Sequence, residues 1–466
     1  MNDEQLIAIW HKKYSNVPEI MNKTAKIIAV ASGFNTNVDA ITKISGEKLS
    51  VLAKDLDIDL QEAQNCPTVV NSLKAAVCGM VKCFANGIAE EWLTDNEKID
   101  LQIEQNIAVE RLQMGGQAGI IANVLALTGV QKILVNTASH PKKQADCFLI
   151  SNKLLAADEN SGLAPAYQVN RINDQVSIHR IIEFDKGEKA VLADGSIIIC
   201  PKANRFIASY DPFNTKLTIN PAFSEYLLAN GCDYLIFAGY NLLSGAEGLE
   251  YAKKSAGFLQ RLKTVHPNSI LHLEIASTQD KTIRRYMLEE ITKYADSIGL
   301  NERETLDCCE VLFPDVYEKF KTEALSSANL FEAVLKIKEF TKVKRIQLHM
   351  FGLFVCLQDK DYKYSAEQSL NGMLCASVAA ISKAELGYLQ TPQDLLYALN
   401  NSNAKIYLSE LRKLAEYLDL PTLLSKGLAE YHGYDIVVVP TIPAEKPKTL
   451  VGMGDTISSL SLICAQ

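Results

Sequence analysis

Short apolar runs alternate with longer stretches in which apolar residues recur every three to four positions, and this alternation continues through most of the chain. The short runs suit buried strands and the longer ones amphipathic helices. Strands are expected at Lys26–Ala31, Lys132–Asn136, Tyr234–Ala238, Ile270–Glu274, Arg345–His349 and Ile436–Val439, and helices over Gln117–Leu127, Leu249–Thr264 and Leu370–Glu385. Strand followed by helix, repeated, predicts an α/β protein with a large, wound, mostly parallel sheet flanked by helices. The interval Arg171–Thr218 breaks the pattern with two β-rich runs, Val176–Phe184 and Lys189–Cys200, joined through Asp185-Lys186-Gly187. That reads as a hairpin within a small inserted lid. No repeat or low-complexity linker is evident, so the lid is expected to be an excursion of the chain.

Composition narrows the class. The 466 residues allow two or more domains, and 47 basic against 55 acidic residues give a net charge of −8, which argues against a general nucleic-acid partner. No apolar run is long enough for a membrane span, and the N-terminus lacks a signal-peptide layout, so a cytoplasmic location is expected. The eleven cysteines are scattered, with only Cys308 and Cys309 adjacent, which predicts reduced thiols and no zinc site.

The richest candidate chemistry lies near the end, in Val451-Gly452-Met453-Gly454-Asp455-Thr456-Ile457-Ser458. Glycines at a helix N-terminus let backbone N–H groups approach an anion, and a carboxylate beside them can accept a proton from an attacking hydroxyl. Asp455 is therefore a candidate general base, with Gly452, Met453 and Gly454 as anion hole, although the same residues would also make an ordinary capped turn. Asn35 and Asp39, after the first strand, are candidates to grip sugar hydroxyls or to stabilise their own loop. Gly115, Gly116 and Gln117 open a helix pattern and permit either close substrate approach or a tight helix entry. His272 and Glu274 share a strand face, and Asn301, Glu302 and Glu304 supply hard oxygen ligands suited to Mg2+, or form an acidic helix start capped by Asn301.

These pieces, in this order, resemble the ADP-dependent sugar kinases, the phosphofructokinase and glucokinase family of the ribokinase superfamily. The matching segments are residues 37–39, 115–119, 272 and 274, 301–304, and 440–441 leading to 451–457. The resemblance implies a ribokinase-like fold and transfer of the β-phosphoryl of ADP to a hexose hydroxyl, leaving AMP. It implies Asp455 as base, and Mg2+ or another divalent cation held by Glu274, Glu302, Glu304 and Asp455, directly or through water. It places Asn35, Asp39, Gly116, Gln117 and His179 at the sugar, Arg205 at a phosphate, and Asn301, His349, Gly352, Val439, Pro440 and Gly454 on the nucleotide side. Glu90 resembles the carboxylate that family glucokinases direct at a sugar hydroxyl, while Lys186, Arg180, Lys202 and Arg205 are candidate cations for fructose 6-phosphate. Asn241 stands where a glutamine is expected in this family. The expected division puts 1–33, 60–110, 119–170 and 219–466 in the nucleotide-binding body and 34–59, 111–118 and 171–218 in the lid. The activity expected is ADP-dependent phosphorylation of fructose 6-phosphate, with glucose as a second substrate, by a monomer or small homo-oligomer. An ADP-dependent glucokinase and an ATP-dependent ribokinase-like sugar kinase are the alternatives.

Overall fold

The computed structural model describes every residue except 276–277, 401–404, 445–446 and 450. The large body is built on an eleven-stranded sheet. Its strand order is Leu428–Tyr431, Tyr434–Pro440, Leu353–Asp359, Arg345–Met350, Ser297–Leu300, Ile270–Glu274, Tyr234–Phe237, Ala29–Gly33, Lys132–Val135, Leu154–Ala157 and Leu163–Pro165. The seven strands from Arg345–Met350 to Leu154–Ala157 are parallel, and antiparallel strands close both edges. Central strands such as Tyr234–Phe237 and Ile270–Glu274 are buried at every position, because helices cover both faces of a parallel sheet. All six expected strands and all three expected helices are present, the latter as Gln117–Ala126, Gly245–Val265 and Ala366–Leu386.

The second body is a five-stranded sheet in the order Glu90–Thr94, Asn204–Tyr210, Ile178–Phe184, Asn37–Lys43 and Arg111–Gly115. Helices Gly46–Asp55 and Leu73–Asn86 pack on one face around a separate core that includes Leu52, Phe84, Trp92, Phe184 and Phe206. Two expectations are corrected here. Residues 60–110 do not join the large body, since Glu90–Thr94 is a strand of the small sheet and Leu73–Asn86 fills its core. The hairpin does not turn at Asp185-Lys186-Gly187: Ile178–Phe184 pairs with Asn204–Tyr210, while Lys189–Val191 pairs with Ile197–Ile199 as a separate ribbon. The run Lys189–Cys200, expected as one strand, is two short strands that pair with each other, because strand partners are set by the tertiary fold, which alternation alone does not specify.

Candidate active site

Helix Met453–Ile463 begins at Gly452, whose φ of +66° favours glycine and whose added Cβ would lie 2.6 Å from Lys383 Nζ. Burial of Ile457, Leu460 and Leu462 anchors this closing helix in the core. Its first amides have no acceptor within the helix and carry the positive end of the dipole. Asp455 stands in this first turn, 7% exposed. Burial pushes its carboxyl up to about 7, with the Lys383 ammonium opposing and the charges of Glu274 and Asp39 adding to the rise. A carboxylate poised near neutrality suits a general base.

Lys383, near the end of helix Ala366–Leu386, donates to the Gly452 carbonyl at 3.0 Å. Burial lowers its ammonium to about 8, against the pull of Asp455 and Asp39. Sequence reading passed over it, because a lysine in the last turn of a helix is ordinarily a solvated dipole partner.

The open face of the small sheet supplies the other side. Cross-strand register aligns Gln113, Asp39, His179 and Ser209 in one row. His179 Nε2 lies 2.9 Å from Asp211 Oδ2, and its Nδ1 is 3.7 Å from Glu91 Oε1. Burial alone would lower its pKa, but Asp211, Glu91 and Asp39 outweigh burial and raise it to about 9. His179 is thus an imidazolium facing the cleft. Asp39, buried and pushed up chiefly by desolvation, accepts from Asn37 Nδ2 at 2.8 Å. A Cβ on Gly115 would fall 2.1 Å from Asp39 Oδ1, so the glycine clears space for that carboxylate. Gln117 lies beside Asp455 and accepts from Gly239 N–H at 2.9 Å, while Asn35 shares the Ala118 N–H and packs against Gly239. Asn35, Asp39, Gly115, Gly116, Gln117 and His179 therefore gather on the side of Asp455. Among the described residues the buried Asn241 side-chain oxygen has no hydrogen-bond partner.

Glu90 does not belong to this group. It shares a strand face with Trp92, accepts from Trp92 Nε1 at 2.8 Å and pairs with Lys82 at 3.0 Å, so it points to the lid's helical side. Glu91, on the opposite face, accepts from Ser209 Oγ at 2.6 Å beside His179. The buried Trp92 was the available signal: strand alternation puts Glu90 on its side and Glu91 on the other. Arg180 is also corrected, being buried on the helical face in a bidentate pair with Asp100 at 2.5 and 2.7 Å, joined by Glu104. Arg205 lies on the open face, in register with Glu183, whereas Lys186 and Lys202 sit in exposed turns.

Beside the first turn of Met453–Ile463 a cavity of about 660 Å3 is lined by Asn301, His349, Gly352, Tyr407, Ile442 and Gly454, among others. His349 is buried, which lowers its pKa, and its Nε2 lies 3.1 Å from where a Cβ on Gly454 would stand. Val439 and Pro440 do not reach the cavity. Val439 is wholly buried in the sheet and the Pro440 carbonyl accepts from Tyr14 at 2.8 Å, so Thr441 and Ile442 form that wall.

The carboxylates expected around a metal have protein partners. Glu274 is bonded to His272 at 2.8 Å, Glu302 accepts from Phe351 N–H at 2.7 Å, and Glu304 forms a capping box with Asn301. Among the described residues no three His, Cys, Asp or Glu side chains converge to cage a metal directly. Burial drives Glu304 well above the usual carboxylate range, and the charges of Glu274 and Asp455 add to it. A divalent cation among these crowded carboxyl groups would favour their ionised forms, and with Glu274, Glu302 and Glu304 already bonded to protein it would be held through water and substrate phosphates, the mode Mg2+ favours.

A two-body α/β fold with a glycine-led helix N-terminus, the buried carboxyl of Asp455 and a polar lid face suits the phosphotransferase class. The conserved region described as ADP-specific phosphofructokinase/glucokinase matches residues 28–464, and the chain belongs to this family of kinases. It is 27% identical to the ADP-dependent glucose/glucosamine kinase of Pyrococcus furiosus, over 97% of this chain and 98% of that one. It is also 27% identical to the ADP-specific phosphofructokinase of Pyrococcus abyssi, covering 94% and 97%. Among solved structures, the last common ancestor of ADP-dependent phosphofructokinases from Methanosarcinales superposes with a TM-score of 0.83 at 27% identity, covering 98% of each chain. An ADP-dependent kinase in complex with fructose-6-phosphate and ADPbetaS superposes with a TM-score of 0.81 at 26% identity, covering 98% and 97%. Among the described residues no helix is long and apolar enough to cross a membrane.

Proposed function

We propose that this protein transfers the β-phosphoryl group of ADP to the free primary hydroxyl of fructose 6-phosphate, giving fructose 1,6-bisphosphate and AMP. The observation that supports this reading is the buried Asp455, next in sequence to Gly454 of the cavity lining and acted on by the charge of Asp39 in the lid row. In the step, the sugar hydroxyl gives its proton to Asp455 as its oxygen bonds to the β-phosphorus. The bond from that phosphorus to the bridging oxygen breaks, and AMP leaves with the electron pair. The amides of residues 453–455 bind the phosphoryl oxygens as charge redistributes. Glu274, Glu302 and Glu304 would hold Mg2+ through water, and the ion would supply neutralisation of phosphate charge.

Both the assignment of ADP as donor and that of fructose 6-phosphate as acceptor draw on the relatives, one of which is a complex with that sugar phosphate and an ADP analogue. Arg205 on the open face is the cation offered to the sugar phosphate, and Lys186 stands at the lid's exposed end. Glucose is the second acceptor, with Glu91 in the role first given to Glu90. AMP release from ADP with fructose 6-phosphate, glucose and no sugar, repeated with ATP, tests the reading. Sugar-dependent AMP release from ADP supports it, and turnover with ATP alone assigns the donor to the ATP-dependent class.

A further inference from the structure

Lys383 has no role in the chemistry described so far, yet its placement is costly. A lysine at the end of a helix normally extends its ammonium to solvent. Here the ammonium is turned inward, donating to the Gly452 carbonyl at 3.0 Å with Thr456 Oγ1 at 3.5 Å. Among the described residues it forms no ion pair with a carboxylate, although Asp455 of the large body and Asp39 of the lid both act on it. Lys383 is half-buried, and drawing an unpaired ammonium inward costs part of its hydration unless its surroundings require it.

The carbonyl it holds is already served twice, by Thr456 N–H at 3.2 Å and Thr456 Oγ1 at 2.9 Å. A third donor adds little to the helix. Because the peptide unit is planar and trans, however, fixing the Gly452 carbonyl fixes the Met453 N–H pointing the opposite way. Gly452 has no side chain to hold its own conformation, and an added Cβ would fall 2.6 Å from Lys383 Nζ and 2.8 Å from Ile120 Cδ1, so the lysine would have to leave the turn to admit it. The turn and the lysine are built around each other.

We propose that Lys383 is the positioning residue of the phosphate-binding turn, holding the Gly452 carbonyl so that the amides of residues 453–455 and the Asp455 carboxylate stay aimed at the reacting phosphoryl group. This rests on the phosphoryl-transfer reading above. A separate cavity of about 600 Å3, lined by Gln113, Ile120, Asn123, Phe148 and Val451, ends at Lys383. Removing the side chain therefore leaves an approach through which a small ammonium ion can take its place.

The test compares wild type with Lys383→Ala and Lys383→Arg, measuring turnover and, by calorimetry, binding of ADP and of adenosine. The expected result for Lys383→Ala is a fall of about tenfold or more in kcat and in ADP affinity, with sugar KM and adenosine affinity unchanged. Ethylammonium chloride should restore part of both losses where sodium chloride at the same ionic strength does not, and Lys383→Arg should retain more than Lys383→Ala. If Lys383→Ala does not fold, Lys383→Met keeps the aliphatic stem and carries the same comparison of ADP with adenosine. Unchanged ADP affinity and kcat would overturn the proposal. So would equal weakening of ADP and adenosine without rescue by the amine, which marks a purely structural lysine. Absence of AMP release in the wild type would refute the transfer reading, and the comparison of ADP with adenosine binding would still decide the role of Lys383.

Discussion

Glu90 and Glu91 are adjacent in one strand and face opposite sides of the lid, Glu90 bonded to Trp92 Nε1 at 2.8 Å and Glu91 to Ser209 Oγ at 2.6 Å beside His179. The two carboxylates therefore separate stability from specificity. Glu91→Ala should reduce glucose turnover more than fructose 6-phosphate turnover. Glu90→Ala should instead destabilise the lid by about 1–3 kcal/mol, since it leaves the Trp92 N–H and Lys82 without their partner. Steady-state kinetics with both sugars and thermal unfolding check the pair, and equal loss for both sugars in Glu91→Ala would remove it from the glucose site.

Asp455, if it is the base, should set the acid side of the pH profile. Its carboxyl titrates near 7 in the folded protein, and only the ionised form accepts the hydroxyl proton. The value of kcat/KM should therefore fall as pH drops through about 7. A profile flat from pH 8 down to 5 would exclude this group as the base.

His179 gives the opposite sign, in stability. Its folded pKa of about 9 lies above the ordinary histidine value of 6.5, so its charged pairing stabilises fully below about 6.5 and the contribution is lost as pH rises through about 9. The Tm difference between wild type and His179→Gln should be larger at pH 6 than at pH 9.5. A difference independent of pH would show that the imidazolium pairing contributes nothing.

Gly452→Ala combines a left-handed φ with a Cβ 2.6 Å from Lys383 Nζ. About 1–3 kcal/mol of strain at this turn is expected, with kcat reduced by roughly 100-fold through displaced amides. Calorimetric unfolding and AMP release measure the two effects, and wild-type kcat in a folded Gly452→Ala protein would contradict the anion-hole role.

Lid closure should be visible in solution. Asp39 and His179 lie on the small sheet and Asp455 on the large body, so both substrates together should draw the two bodies closer. A smaller radius of gyration by small-angle scattering is expected with fructose 6-phosphate plus an ADP analogue, and an unchanged radius would count against closure.

The sheet of the large body was legible because its strands are uninterrupted apolar runs such as Tyr234–Phe237, and these need no knowledge of their partners to be recognised. The lid was harder. Residues 60–110 were expected in the nucleotide-binding body, and only pairing of Glu90–Thr94 with Asn204–Tyr210 assigns them to the lid. At the site, motif residues such as Asp455, Gly115 and Gln117 were found because glycines and short polar clusters stand out against apolar elements. Lys383 and Asp211 were missed, since a lysine at a helix end and an aspartate after a strand are ordinary until the fold turns the one inward onto Gly452 and buries the other beside His179. Arg180 misled for the same reason: its charge was visible, but its partners Asp100 and Glu104 lie far away in sequence.

The central claim is that the β-phosphoryl of ADP moves to the sugar under control of Asp455. Incubating the protein with ADP labelled in its β-phosphate, Mg2+ and fructose 6-phosphate, beside Asp455→Asn, tests it most directly. The account predicts label in fructose 1,6-bisphosphate with unlabelled AMP in equal amount, and a loss of about 100-fold or more in the variant. Label remaining in ADP, or transfer at the wild-type rate by Asp455→Asn, would contradict it.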